Sequence, residues 1–257
     1  ASLYGRNRLG AMIDYFSKNC RIPITAGGGI NDIATSKDLL MKGADKVSIN
    51  SALFHYPKII KELSDIYGAQ AIVVSIQARK KNDENSWYVM KNAGRSHTDL
   101  DLEEWLEILA DYSFGEILVT SIDYDGTCEG LDTKLLKKVL KNSKWPVIYS
   151  GGISKEKDIK EVFNLGASAA CIGAAFHKNL LNQNELKSFS LVRKRTSEKN
   201  IFKKTFKDIN CIILDLDLGN TGSLKYALEE IGCEVKLSSQ KDDIVNADIV
   251  WIPGVGN

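Results

Sequence analysis

Two glycine clusters, Gly27-Gly28-Gly29 and Gly151-Gly152, each close a short apolar run and precede an amphipathic stretch. Backbone N–H groups beside a helix start suit a phosphate oxygen. Gly29 with Asn50 and Ser51, and Gly152 with Gly173 and Ala174, are therefore candidates for two phosphate sites. The alternative is that these glycines only make tight turns. "SIDYDGTCEG" adds Asp123, Asp125, Gly126 and Thr127 beside the second cluster. A carboxylate there can serve as general acid or base, or Asp125 can cap an Asp-Gly turn. Gln77 ends the apolar run "AIVVSI", where an open α/β sheet places its chemistry. Its amide can hydrogen-bond but is no proton donor or acceptor for catalysis. Lys46 and Glu116 open two other apolar runs, either as an inward ion pair or as two solvated rim charges.

Positioning such residues calls for short strands alternating with helices of about three turns, and the chain is patterned in this way throughout. Laid on itself, "IPITAGGGINDIATSKDLLMKGADKVSINSALF" matches "WPVIYSGGISKEKDIKEVFNLGASAACIGAAFH" without a gap, each pair 123 positions apart. Pro23 meets Pro146, Gly28 meets Gly151, Gly29 meets Gly152 and Gly43 meets Gly166. Two such copies approach the ~250 residues of an eight-stranded βα barrel. The fold class expected is therefore α/β, a (βα)8 TIM barrel of two similar halves. In this register the partner of "GEILVTSID" would precede Ala1. Barrel strands one and two, roughly fifty residues, are thus expected to be missing and strands three to eight to remain. The polar segment from Gln77 to Asp101 is too long for a plain βα turn, and "SWYVM" followed by "KNAGR" predicts a small hairpin within it.

With 44% hydrophobic and 26% charged residues and a net charge of +1, the composition is that of a globular protein. It gives no reason to expect nucleic acid or a membrane as partner, and no apolar run approaches the ~18 residues of a span. The five cysteines, Cys20, Cys128, Cys171, Cys211 and Cys233, are scattered. They predict reduced, mostly buried thiols in a cytoplasmic protein rather than a disulfide frame. His55, His97 and His177 are dispersed, so no metal cluster is expected.

Taken together, "GGGI", "GADKVSIN", "GEILVTSIDYDGT" and "SGGI" resemble the cyclase subunit of imidazole glycerol phosphate synthase over essentially residues 1–180. After a basic, polar stretch, "INCIILDLDLGNTGSLKYALEEIGCEVKLSS" and "ADIVWIPGVG" resemble the opening βαβ part of a class I glutamine amidotransferase, the glutaminase partner in that synthase. The domains expected are a partial barrel at 1–189, a solvated linker at 190–208, and the start of a glutaminase domain at 209–257. The resemblance implies a glutamine-dependent cyclase and lyase of histidine biosynthesis. Ammonia from a glutaminase, in cis or in trans, passes through the barrel to a bis-phosphorylated ribulosyl aminoimidazole carboxamide, with no cofactor or metal. It implies that Gly29, Asn50, Ser51, Gly126, Gly152, Gly173 and Ala174 hold the two phosphates and that Asp125 lines the substrate site. Lys46 and Glu116 would form an ammonia gate, Thr25 and Ser48 the channel wall, and Asp45 the glutaminase contact. Pro253, Gly254, Val255 and Gly256 would shape the glutaminase oxyanion turn.

Two departures from the family pattern matter. Its acid–base pair are aspartates ending strands one and five; the first would precede Ala1, and the second aligns with Gln77. The glutaminase Cys-His-Glu triad would follow Asn257, so this length of chain is expected to be inactive on its own. "ASLYGRNRL" and "SIQARKK" lean toward paralogues of surface-polysaccharide modification, which deliver glutamine-derived ammonia for amidation or amidination of a sugar. A third possibility is a non-catalytic barrel that senses a phosphorylated ligand and gates a glutaminase.

Overall fold

A computed structural model describes residues 9–20, 22–82, 85–182, 210–215, 221–230 and 232–252. The expected linker at 190–208 and the turn Pro253 to Gly256 lie outside these residues. Two compact units emerge: Ala1–Ala52, Glu62–Ile72 and Glu198–Asn257 form one, Leu53–Lys61 and Val73–Ser197 the other.

In the first unit, α1 (Leu9–Asn19), β1 (Thr25–Gly27), α2 (Ile33–Met41) and β2 (Lys46–Ile49) follow one another. The two strands are parallel, with Thr25 opposite Lys46 and Gly27 opposite Ser48. Asp32 starts α2 by accepting a hydrogen bond from the Thr35 N–H at 2.6 Å, and the Thr35 bonds hold its carboxyl below the ordinary range. Side-chain oxygens at this position satisfy an N–H that the helix itself cannot. The same unit contains a second sheet. Here β9 (Asn210–Leu214), α8 (Thr221–Glu230), β10 (Glu234–Ser238), α9 (Lys241–Val245) and β11 (Ile249–Trp251) alternate. The sheet order is β10-β9-β11, all parallel. The central strand is the apolar one: Cys211, Ile213, Leu228 and Cys233 form a buried core with Leu224, Val235 and Leu237 packed on it. The strand–helix–strand expected from "INCIILDLD" onward is present.

The second unit is a parallel run, β3 (Ile72–Lys80), β6 (Glu116–Ser121), β7 (Val147–Ser150) and β8 (Ala169–Cys171), paired in that order. Helix α3 (Ile59–Tyr67) precedes β3 in the chain. The connecting helices are α4 (Leu102–Leu109), α5 (Thr133–Asn142) and α6 (Glu156–Leu165), with α7 (Ala174–His177) after β8. In α5 the sequence "TKLLKKVLKN" buries Leu135, Leu136 and Val139 while its lysines point outward, the stripe an amphipathic helix needs. With β1 and β2 these make six parallel strands among the described residues. The hairpin is also present: β4 (Trp87–Lys91) and β5 (Ser96–Asp101) pair antiparallel beside the far end of β3. Asn92, Ala93 and Gly94 turn it with φ of 54°, 58° and 76°.

A buried polar knot, invisible in the sequence, fixes that hairpin. Trp87 Nε1 donates to Asp132 Oδ2 at 3.0 Å. Asp132 Oδ1 accepts from the Leu135 N–H at 3.0 Å, capping α5, and the Asp132 N–H donates to Tyr149 Oη at 2.8 Å. Burial, joined by the charge of Asp132, pushes the Tyr149 hydroxyl well above its ordinary range. Asp132→Asn leaves one oxygen for two donors, and a buried donor without a partner costs about 1–3 kcal/mol. Urea unfolding of the variant is expected to show a loss of that size.

Candidate functional site

The site residues are positioned by the period-two alternation of the strands. In β3, β6 and β7 one set of side chains is packed into the core and the alternate set is half-buried, except that Val73 is itself buried. Register places the second set in rows across the sheet. Val73 lies beside Glu116, and Ser75 beside Leu118, Ile148 and Ala169. At the carboxyl ends, Gln77 lies between Met90 and Thr120, and the row continues from Thr120 through Ser150 to Cys171. From Gln77 to Cys171 this last row is polar, with buried Met90 flanking it on the hairpin side. Gln77 Oε1 is buried and has no hydrogen-bond partner.

Beyond the row, Asp125, Gly126, Cys128, Gly151, Gly152, Gly173 and Ala174 line one concavity together with Ser150 and Cys171. It encloses about 250 Å³ of space, its open mouth included. Five residues singled out in the sequence, Asp125, Gly126, Gly152, Gly173 and Ala174, are thus brought together. The loop carrying Asp125 is held by its neighbours. Asp123 Oδ2 accepts from the Lys80 N–H at 2.7 Å, so this carboxylate ties the loop to β3. Thr127 Oγ1 donates to the Tyr124 carbonyl at 2.8 Å and accepts from the Glu129 N–H at 3.2 Å. The turn is therefore capped by Thr127, and Asp125 is exposed along the cavity. Lys178 Nζ donates to the Gly126 carbonyl at 2.8 Å. At the start of α6, Asp158 Oδ2 accepts from the Ser154 and Lys155 N–H groups, both at 2.9 Å.

Gly152 is locked against this loop. Its φ is +77°, its carbonyl accepts from the Gly130 N–H at 3.0 Å, and a Cβ would lie 1.8 Å from the Gly130 oxygen. In the first unit Gly28 and Gly29 have φ of 94° and 75°, close to the 117° and 77° of Gly151 and Gly152. After β2, Ser51 Oγ donates to Asn50 Oδ1 at 3.1 Å.

Thr25, Lys46 and Ser48 share one face of the β1–β2 pair, alternating with buried Ala26, Val47 and Ile49. In the second unit, Glu116 opens β6 on the half-buried face of that strand. Asp45 bridges two parts of the first unit: Oδ2 accepts from the Ile24 N–H at 2.7 Å and Oδ1 from Ser223 Oγ at 3.3 Å. Helices α1 and α8 pack together in the same unit.

Sequence reasoning missed Thr120, Ser150, Cys171 and Cys128. Thr120 and Ser150 are each the last residue on the half-buried face of their strand, a signal that alternation in "GEILVTSI" and "WPVIYSGG" carries, and Cys171 ends β8. The cysteines correct another expectation. All five are free, but only Cys211 and Cys233 are buried, and Cys171 is exposed because β8 turns it toward the cavity. No helix among the described residues is long and apolar enough to cross a membrane.

The model of the family described as histidine biosynthesis protein matches residues 1–182. The imidazole glycerol phosphate synthase subunit HisF of Prochlorococcus marinus (strain MIT 9515) is 45% identical over 204 residues, covering 77% of this chain and 79% of its own length. The subunit of the same name from Clostridium botulinum (strain Okra / Type B1) is 42% identical over 182 residues, covering 69% and 72%. By that match, and by the coverage and identity of these relatives, the chain belongs to the histidine biosynthesis protein family.

Proposed function

We propose that the chain is the cyclase of a glutamine-dependent synthase of the imidazole glycerol phosphate type, acting on a bis-phosphorylated ribulosyl aminoimidazole carboxamide. The observation that carries this is the gathering of Asp125, Gly126, Gly152, Gly173 and Ala174 around one cavity, joined to the names of the relatives. One phosphate belongs in that cavity and the other at Gly29, Asn50 and Ser51. The like conformations of Gly28-Gly29 and Gly151-Gly152 support two equivalent turns in a barrel of two similar halves. Lys46 and Glu116 act as the ammonia gate, and Thr25 and Ser48 line its path. Residues 209–257 are the start of the glutaminase, received in cis at Asp45; the Ser223 bond supports that contact.

A second reading is favoured by one residue. Gln77 cannot serve as general acid or base, which suits a paralogue that holds a phosphorylated ligand and delivers ammonia to a sugar-modifying partner. Thermal denaturation tests binding in both cases. At about 100 times its Kd the ribulosyl bisphosphate is expected to raise Tm by about 5–10 °C, with inorganic phosphate competing. No shift would sink the phosphate assignment. Imidazole glycerol phosphate formed with ammonium salt supports the first reading, and binding without product supports the second.

A further inference from the structure

Two of the five cysteines meet in a core that the proposed chemistry does not use. Cys211 in β9 and Cys233, just ahead of β10, belong to one buried cluster with Ile213 and Leu228. Register pairs Cys211 with Val235, so Cys233, two residues earlier in the chain, lies diagonally across from it on the same face. The two thiols share a hydrogen bond, and burial, joined by that bond, pushes the Cys211 thiol up. A single buried cysteine behaves as a small hydrophobe, whereas a touching pair can also be oxidised. Access differs between the two, Cys211 being 0% exposed and Cys233 8%. Cys233 also follows the turn that ends α8. There Gly232 has φ +96°, and the Gly232 and Cys233 N–H groups donate to the Glu229 and Leu228 carbonyls at 2.9 and 3.1 Å. Helix ends open more readily than cores, so a small oxidant reaches Cys233 first.

We propose that Cys211 and Cys233 are a dithiol–disulfide pair, a modification site that staples β9 to the end of α8. A hydroperoxide is the oxidant. The Cys233 sulfur attacks its terminal oxygen, the O–O bond breaks, and the leaving alkoxide (hydroxide from hydrogen peroxide) takes the Cys233 proton, which leaves a sulfenic acid. The Cys211 sulfur then attacks the Cys233 sulfur. The S–O bond breaks, and the departing hydroxide takes the Cys211 proton as water. Two electrons pass from the sulfurs to the peroxide. The new bond closes a loop of about 20 residues around α8, the helix that packs on α1 and carries Ser223, the donor to Asp45. Oxidation therefore firms the element behind that contact, and it does so whatever reaction the barrel performs.

Stoichiometric hydrogen peroxide added to the full chain in native buffer, followed by alkylation of the remaining thiols and peptide mapping by mass spectrometry, tests this. The expected product is a linked peptide joining Cys211 to Cys233. The oxidised protein is expected to melt about 4–10 °C above the reduced one, with dithiothreitol reversing the rise and Cys233→Ala showing none. Absence of the linked peptide overturns the proposal, as does a link that forms only after urea has unfolded the chain. A linked protein whose Tm does not rise overturns the staple. Should Cys233→Ala fail to fold, the wild-type peptide map and its reversal by dithiothreitol decide the matter.

Discussion

Gly152→Ala is expected to cost about 2–5 kcal/mol and to abolish the phosphate binding proposed for the second-unit cavity. An L-residue in the left-handed region costs about 1–2 kcal/mol, and forcing a methyl into occupied space about 1–3 more. The occupied space is backbone: the new Cβ would sit 1.8 Å from the Gly130 oxygen and 3.0 Å from its carbon. No side-chain rotation can relieve that. The loop from Gly126 to Gly130 must move away, breaking the Gly130 N–H bond to the Gly152 carbonyl. Two neighbours calibrate the effect. Gly126 has φ +77°, and a Cβ there would meet nothing within 4 Å, so Gly126→Ala should cost only the conformational ~1–2 kcal/mol. Gly173 has φ −123° and open space, so Gly173→Ala should be near neutral for folding. Urea unfolding and phosphate calorimetry on the three variants give this ranking, and equal losses across them would refute the steric account.

Gln77→Asp is expected to raise the rate of product formation with ammonium by about 10²–10⁴-fold, the usual contribution of one general acid–base group. The position is suited to such a group. It ends the half-buried face of β3, opposite Thr120, and partial burial lifts a carboxyl toward the range where it exchanges protons at neutral pH. The measurement follows loss of the ribulosyl substrate in wild type and variant. Fast wild-type turnover, unimproved by Asp, would dispose of the ammonia-delivery reading. A silent wild type whose activity appears with Asp would show that a single amide separates the two functions. A variant that binds substrate but stays silent would count against Gln77 as the seat of a lost acid.

The elements were legible in the sequence because each is a local pattern. The "TKLLKKVLKN" stripe became α5, the apolar run "INCIILD" became the central β9, and "SWYVM" with "KNAGR" became the β4–β5 hairpin. The glycine turns were legible because their spacing repeats and because positive φ has few residue solutions. What could not be read was everything that depends on register between distant segments. Gln77 lies beside Thr120 and Trp87 bonds to Asp132, 45 positions away; neither distance nor partner is encoded near either residue. Asp125 and Asp123 show the same limit in a single loop. They look alike in "SIDYDGT", yet Asp123 is committed to the Lys80 N–H while Asp125 faces the cavity. That division of labour depends on where the end of β3 lies, 43 positions back along the chain.

The bond from Ser223 to Asp45 joins residues 178 positions apart on one polypeptide. Covalent linkage makes that encounter intramolecular, and the joining of two faces on one chain can hold them at an effective concentration of about a millimolar. A docking face of only about 0.1 mM intrinsic Kd would then be occupied roughly nine-tenths of the time. Its occupancy would not fall on dilution, as that of two separate subunits must. Such a face can do without the large apolar patch of an obligate interface and make do with a few polar contacts, and it can open and close quickly without ever losing its partner.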